Sequence, residues 1–374
     1  MTTTTPRLYT AVILFLVLFF VGTTFLARSY RSERQTRADY HFSLGQKLAA
    51  EGHQAEALEQ YRTALSLEPG TPRFQLAIAL VLVDLGRLDN AESHLQDLLQ
   101  ADPTNGLLNL TMARVSAREG LVDDAITYYH RAIYGLWTTR PVQNRIDARF
   151  ELVDYIARNG THQQLVAELV QLQSDLPDEP ALKQRVAGLF LSASSPRQAA
   201  ALYRDVARAQ PRNAAAYAGL GESLFALEDY QGAQAVFRRA ILLHAADPDL
   251  KARLVWVNQY LGLDPLAPRL ATAERYRRSQ RLVDLTLASL SACLDRTQSA
   301  ALSDPMQKLI DAAQKLLSSH QRIRNYDQAA DDSLSISEQL WRAKQASCPE
   351  APGTGTPLAA LMTRLTQQAP ATSN

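Results

Sequence analysis

The chain has 374 residues and is poor in the residue types that build chemistry. Its two cysteines, Cys293 and Cys348, lie far apart and cannot form a zinc knuckle. Seven histidines (His41, His53, His94, His130, His162, His244 and His320) are scattered. None pairs at metal-ligand spacing, and no His-Glu-x-x-His occurs. Gly353-x-Gly355 lacks the lysine and the following helix of a phosphate loop. The chain therefore offers no metal ligands, no cofactor site and no catalytic residue, and it is expected not to be an enzyme. Charge of one sign is also missing: 39 Lys and Arg face 38 Asp and Glu, for a net charge of +1. That removes the basic footprint expected of a nucleic-acid binder.

A last absence is local. No charged residue occurs from Leu8 to Ala27. About 20 residues make about 30 Å of helix, enough to cross a bilayer. Phe25-Leu26-Ala27 is a poor signal-cleavage site, so an uncleaved single-pass anchor over 8–27 is expected. A short tail, 1–7, precedes it and a basic linker, 28–37, follows. Arg28, Arg31, Arg34 and Arg37 lie behind the span and only Arg7 before it, which favours a cytoplasmic soluble region. The same arginines could instead meet anionic headgroups.

The chain also holds a period. Gly52, Gly86 and Gly120 recur every 34 residues, as do Ala57, Ala91 and Ala125, and Pro69 and Pro103. A fixed period near 34 marks a stacked helical repeat. Leu44-Gly45, Leu48, Gly52, Ala57, Tyr61, Ala64 and Pro69 give the clearest copy. Gly45 and Ala57 let two helices approach, Tyr61 fills the gap, Gly52 turns the chain and Pro69 stops the second helix. This pattern resembles the tetratricopeptide repeat. Copies are expected near 38–71, 72–105, 106–139, 146–179, 180–213 and 214–247, with a capping helix at 248–262. The third carries a short insertion, Trp137 to Arg140, and the fourth is degenerate, with Leu165 at the small position.

The resemblance implies an α-solenoid of about six helix-turn-helix repeats; with the apolar N-terminal run and a C-terminal helical bundle, the expected fold is all-α, with an N-terminal transmembrane helix. The resemblance also implies that each first helix lines a concave surface that holds a protein partner. The residues expected there are Phe42, Gln46, Leu76, Leu80, Val83, Leu110, Arg114 and Phe150. Some family members clamp a partner's terminal carboxylate with Lys, Asn and Arg. Here Phe42, Gln46 and Ala77 stand at those places, so that clamp is not expected. The resemblance extends to membrane-anchored bacterial proteins and suggests an inner-membrane scaffold. One envelope-assembly adaptor shares the layout but ends in a four-cysteine metal domain, which this chain lacks. A self-associating structural envelope protein is the alternative to a partner-binding adaptor.

After a Pro265/Pro268 linker (263–270), three apolar-periodic stretches suggest a bundle over 271–347. If they run up-down-up, the first and third end together. Cys293 and Cys348 sit at those ends and could pair, which would imply an oxidising compartment. Two unpaired thiols are the other reading, and the disulfide opposes the arginine flank. The tail 348–374 is expected to be a flexible linker with one short helix, carrying Leu358, Leu361, Met362 and Leu365. Arg275, Arg277, Arg278 and Arg281 form a basic cluster, expected as a solvated helix face. Asn109-Leu-Thr111 and Asn159-Gly-Thr161 match glycosylation sequons, the first inside an expected helix.

Overall fold

The computed structural model describes residues 5–244, 247–297, 303–318, 323–348 and 355–368. Residues 1–4 of the expected tail, 349–354 of the expected linker and the end of the chain, 369–374, lie outside them. Every named element among the described residues is an α-helix. The chain divides into two compact units, Met1–Leu176 and Pro177–Asn374.

The first unit holds α1 (Thr5–Ala50), α2 (Gln54–Leu67), α3 (Pro72–Asp84), α4 (Leu88–Ala101), α5 (Gly106–Glu119), α6 (Val122–Ile133), α7 (Pro141–Asn159) and α8 (His162–Asp175). The second holds α9 (Pro180–Ser192), α10 (Pro196–Ala209), α11 (Ala214–Ala226), α12 (Tyr230–Leu243), α13 (Pro248–Leu263), α14 (Thr272–Thr297), α15 (Asp304–Ser318), α16 (Tyr326–Ser347) and α17 (Pro357–Gln368). Prolines open α3, α7, α9, α10 and α13, where a missing N–H costs nothing. Asn105, Asn213, Asp229 and Asp247 cap the starts of α5, α11, α12 and α13 through side-chain oxygens.

One turn recurs within the helix pairs. The N–H of His53, Arg87, Leu121, Ser195 and Asp229 reaches back five residues, to the carbonyl of Leu48, Leu82, Ser116, Phe190 and Leu224. The residue before each donor has left-handed backbone. This is the six-to-one closure of a helix end, which needs that conformation. Gly52, Gly86 and Gly120 supply it in the first unit at φ 86°, 72° and 77°. In the second unit Ser194 and Glu228 supply it at φ 49° and 60°, also 34 residues apart.

Between the helices of a pair, an aromatic side chain rests on a bare backbone. A Cβ on Gly45 would stand 2.6 Å from the Tyr61 ring, and one on Gly221 would come as close to Phe237 as 2.4 Å. Ala57, Ala91, Ala125, Ala199 and Ala233 are all fully or almost fully buried at the matching small position.

The sequence suggests a linker over 28–37, but the structure has helix there. α1 runs without a break from the apolar stretch into the first repeat, 46 residues or about 70 Å. No glycine or proline lies between Gly22 and Gly45, so charge density alone does not end the helix. From Ile13 to Val21, and at Phe25 and Leu26, its large apolar side chains are exposed. This part is long and apolar enough to cross a membrane, a test that a signal sequence also passes.

In the second unit, α14 and α16 pack side by side around Val283, Leu290 and Leu340, with α15 covering them through Ile310 and Ala313. Cys293 and Cys348 are joined by a disulfide with Cα atoms 6.2 Å apart. α17 lays Leu361, Met362 and Leu365 onto a cluster with Tyr260, Leu282 and Trp341. The expected solvated basic face of α14 is largely engaged. Arg275 pairs with Asp327 and Asp331 of α16, Arg277 with Glu274, and Arg278 donates to the carbonyls of Leu261 and Asp264.

Candidate partner-binding surface

The first helices of the N-terminal repeats are the C-terminal part of α1, then α3, α5 and α7. Side chains one repeat apart tie them together. Arg73 of α3 pairs with Asp39 of α1. Arg118 of α5 donates to the Val83 carbonyl at the end of α3. Arg114 of α5 grips Glu151 of α7 with two parallel bonds, Nε to Oε2 at 2.9 Å and Nη2 to Oε1 at 2.6 Å. Two-pronged pairing fixes orientation as well as distance. The bond to Glu151 holds the Arg114 guanidinium above its ordinary pKa against the effect of burial. Beneath this row, burial pushes the Tyr129 phenol up to about 12, and the Glu151 charge adds to the shift.

The eight expected groove residues do not share one environment. Val83, Leu110 and Phe150 are 5%, 6% and 3% exposed, so they hold helices together and offer no surface. Phe42 is half-buried, its ring 5.0 Å from Phe74 and 5.5 Å from Tyr61. Sequence spacing gives the face of a helix but not the depth at which a neighbour covers it. Gln46 is exposed, while Leu76, Leu80 and Arg114 are partly exposed. These four are the reachable members of the set. Asp39, Arg73, Arg118 and Glu151 are missing from it. Their separations of 34 (39 to 73) and 37 (114 to 151) residues, one repeat each, were the available signal.

The insertion after α6 is folded in, not looped out. Leu136 bonds through its backbone to Thr104 and Gly106. Trp137 lies on Gly106, where a Cβ would meet the indole at 2.4 Å, and its Nε1 donates to the Ala132 carbonyl. Close by, α6, α7 and α8 are joined through the buried guanidinium of Arg149. It bonds Asp175 at 2.7 Å and lies 3.5 Å from Glu168, whose other oxygen meets His130 Nε2 at 2.7 Å. Two carboxylates match one buried cation here, as burial of charge demands. Of the two sequons, Asn109 is buried and Asn159 is exposed at the end of α7. Among the described residues no group of three His, Cys, Asp or Glu could hold a metal.

A family model described as tetratricopeptide repeat matches residues 42–106 and 187–250, and a second of the same description matches 82–134. These segments contain the recurrent turn and the Gly/aromatic contacts described above. The chain is a tetratricopeptide-repeat protein. Among curated proteins it is similar to the BBSome complex member BBS4 of Bos taurus, 24% identical over 281 residues. That match takes in 74% of this tetratricopeptide-repeat chain but 49% of the relative, so the chain spans about half the length of the relative it matches. Among solved structures it is similar to the C-terminal part of a TPR repeat-containing protein from Cytophaga hutchinsonii. There the identity is 15%, the TM-score 0.45, and the cover 64% of this chain and 92% of that one. Pseudomonas aeruginosa pilF gives 16% identity and a TM-score of 0.39, over 59% and 97% of the two chains.

Proposed function

We propose that this protein is a membrane-anchored scaffold that holds a protein partner on the concave face of its N-terminal repeats. One observation carries the reading. The first helices are locked to one another by pairs one repeat apart, Asp39–Arg73 and Arg114–Glu151, while Gln46, Leu76 and Leu80 stay reachable between them. A pre-formed face with apolar and polar groups loses little freedom on binding. The unbroken α1 supports an anchor fixed rigidly to that face. The Cys293–Cys348 pair supports a soluble region on the oxidising side of the membrane. Arg28 and Arg31 speak for the other side, so the compartment has its own test: labelling of the two thiols in intact cells by an impermeant maleimide. Reaction only after reduction fits the oxidising side. Reaction only after lysis, without reductant, contradicts it.

The binding reading is tested by recovering the protein from membranes with its partner. Leu80→Asp is expected to release the partner while leaving the helical content intact, because Leu80 is only partly covered. Retention of the partner by Leu80→Asp and by Leu76→Asp would contradict the reading. Recovery of a second copy of the same chain would favour the self-associating alternative.

A further inference from the structure

The second unit holds a cleft that neither the repeats nor the anchor explains. It lies between α13, the start of α17 and α14, and measures about 500 Å³. That is within the range of about 300–1,000 Å³ typical of ligand sites. Leu263, Leu285 and Leu358 give it apolar walls, and Asn258 and Gln259 bring two amides to its edge. The Asn258 side-chain oxygen already accepts from Gln234 at 2.7 Å, which leaves its N–H groups as donors. Among the described residues no acidic side chain lines the cleft, and Arg281 is the one charged residue there that does. Arg275, Arg277 and Arg278 on the same helix are all paired, whereas Arg281 is exposed and has no ion-pair partner among the described residues. Gly262 borders the same space, and a Cβ built on it would meet nothing within 4 Å.

We infer that this cleft binds a short peptide segment of a partner in which a carboxylate side chain stands beside apolar ones. The single unpaired cation matches one carboxylate. A phosphate, with a charge of about −1.5 to −2, would call for more. The leucine walls take the apolar side chains, and side-chain amides pair with the donors and acceptors of a peptide main chain. The site is separate from the concave face of the first unit, so each can fail without the other.

The test uses the full chain in detergent and a fluorescein-labelled peptide, Gly-Ala-Leu-Glu-Leu-Ala-amide, read by anisotropy. Saturable binding is expected. Arg281→Gln should weaken it roughly tenfold, the scale of a charged hydrogen bond. Changing the peptide's Glu to Gln should cost the same with the wild-type protein and nothing further with Arg281→Gln. Gly262→Leu should fill the cleft and abolish binding without loss of helical content, since there is room for the new side chain. Leu80→Asp should leave this binding unchanged. No saturable binding, equal affinity for the Arg281→Gln variant, or undiminished binding by Gly262→Leu would overturn the proposal. So would hexanoate binding in the cleft when the peptide does not.

Discussion

At the scale of the residue, the repeat rests on one backbone conformation and one close contact. The conformation is left-handed backbone at the turn between helices, which costs a residue with a Cβ about 1–2 kcal/mol. Ser194 and Glu228 bear that cost where Gly52, Gly86 and Gly120 do not. Ser194→Gly and Glu228→Gly are each expected to raise stability by about 0.5–1 kcal/mol, after the greater freedom of unfolded glycine is allowed for. Thermal melts of the single and double variants check this. The contact is glycine under an aromatic ring. Gly45→Ala and Gly221→Ala should each lower stability by about 1–3 kcal/mol through overpacking. Tyr129 adds a pH dependence. Its phenol is held neutral up to about 12 in the folded chain and ionises near 10 in the unfolded one. The unfolded state therefore sheds a proton first as pH rises, and stability falls between about pH 10 and 12. Tyr129→Phe should flatten that fall, as read by denaturant melts across the range.

The close contacts were legible from the sequence because Gly45, Ala57 and Tyr61 keep their spacing. The turns of the second unit were not, because a search for recurring glycine passes over a serine and a glutamate that take the same conformation. The buried state of Val83, Leu110 and Phe150 was equally hidden. A helical wheel places them on the inner face, and only the neighbouring helix decides whether that face is open. Arg114 could be named as a groove residue, but its bond to Glu151 depends on the register between α5 and α7.

At the scale of the element, two features stand apart from the repeat. The first is α1, in which an apolar stretch and a repeat helix form one rod. The arginine-rich stretch between them reads as a linker by charge and is helix by the absence of any breaker. Gln35→Pro would remove one helix hydrogen bond and kink the rod, at about 3 kcal/mol or more. Spin-label distances between the ends of α1 should broaden in that variant and stay narrow in the wild type. The second is the disulfide between the ends of α14 and α16, across a sequence separation of 55. Closing a loop of that size stabilises by about 4 kcal/mol in the chain-entropy account. Cys293→Ala with Cys348→Ala should destabilise the α14–α16 pair by up to that amount. The loss should appear as earlier hydrogen exchange in 272–347 and leave α3 to α6 unchanged.

At the scale of the whole molecule, the proposed function rests on a face of interlocked repeat helices continuous with the apolar stretch of α1. The fold class and the repeat were open to sequence reasoning because a period of 34 leaves few alternatives. The binding face was only half open to it, since exposure is a property of packed helices. The most direct test places a photo-crosslinking amino acid at Gln46 or Leu80, and at Asp97 on the outward helix α4, in the full chain in its native membrane. The account predicts one discrete adduct with the same partner protein from Gln46 and Leu80, none from Asp97, and its loss when Arg114→Glu disrupts the pairing with Glu151. Absence of any adduct from the two inner positions, or the same adduct from all three, would contradict it.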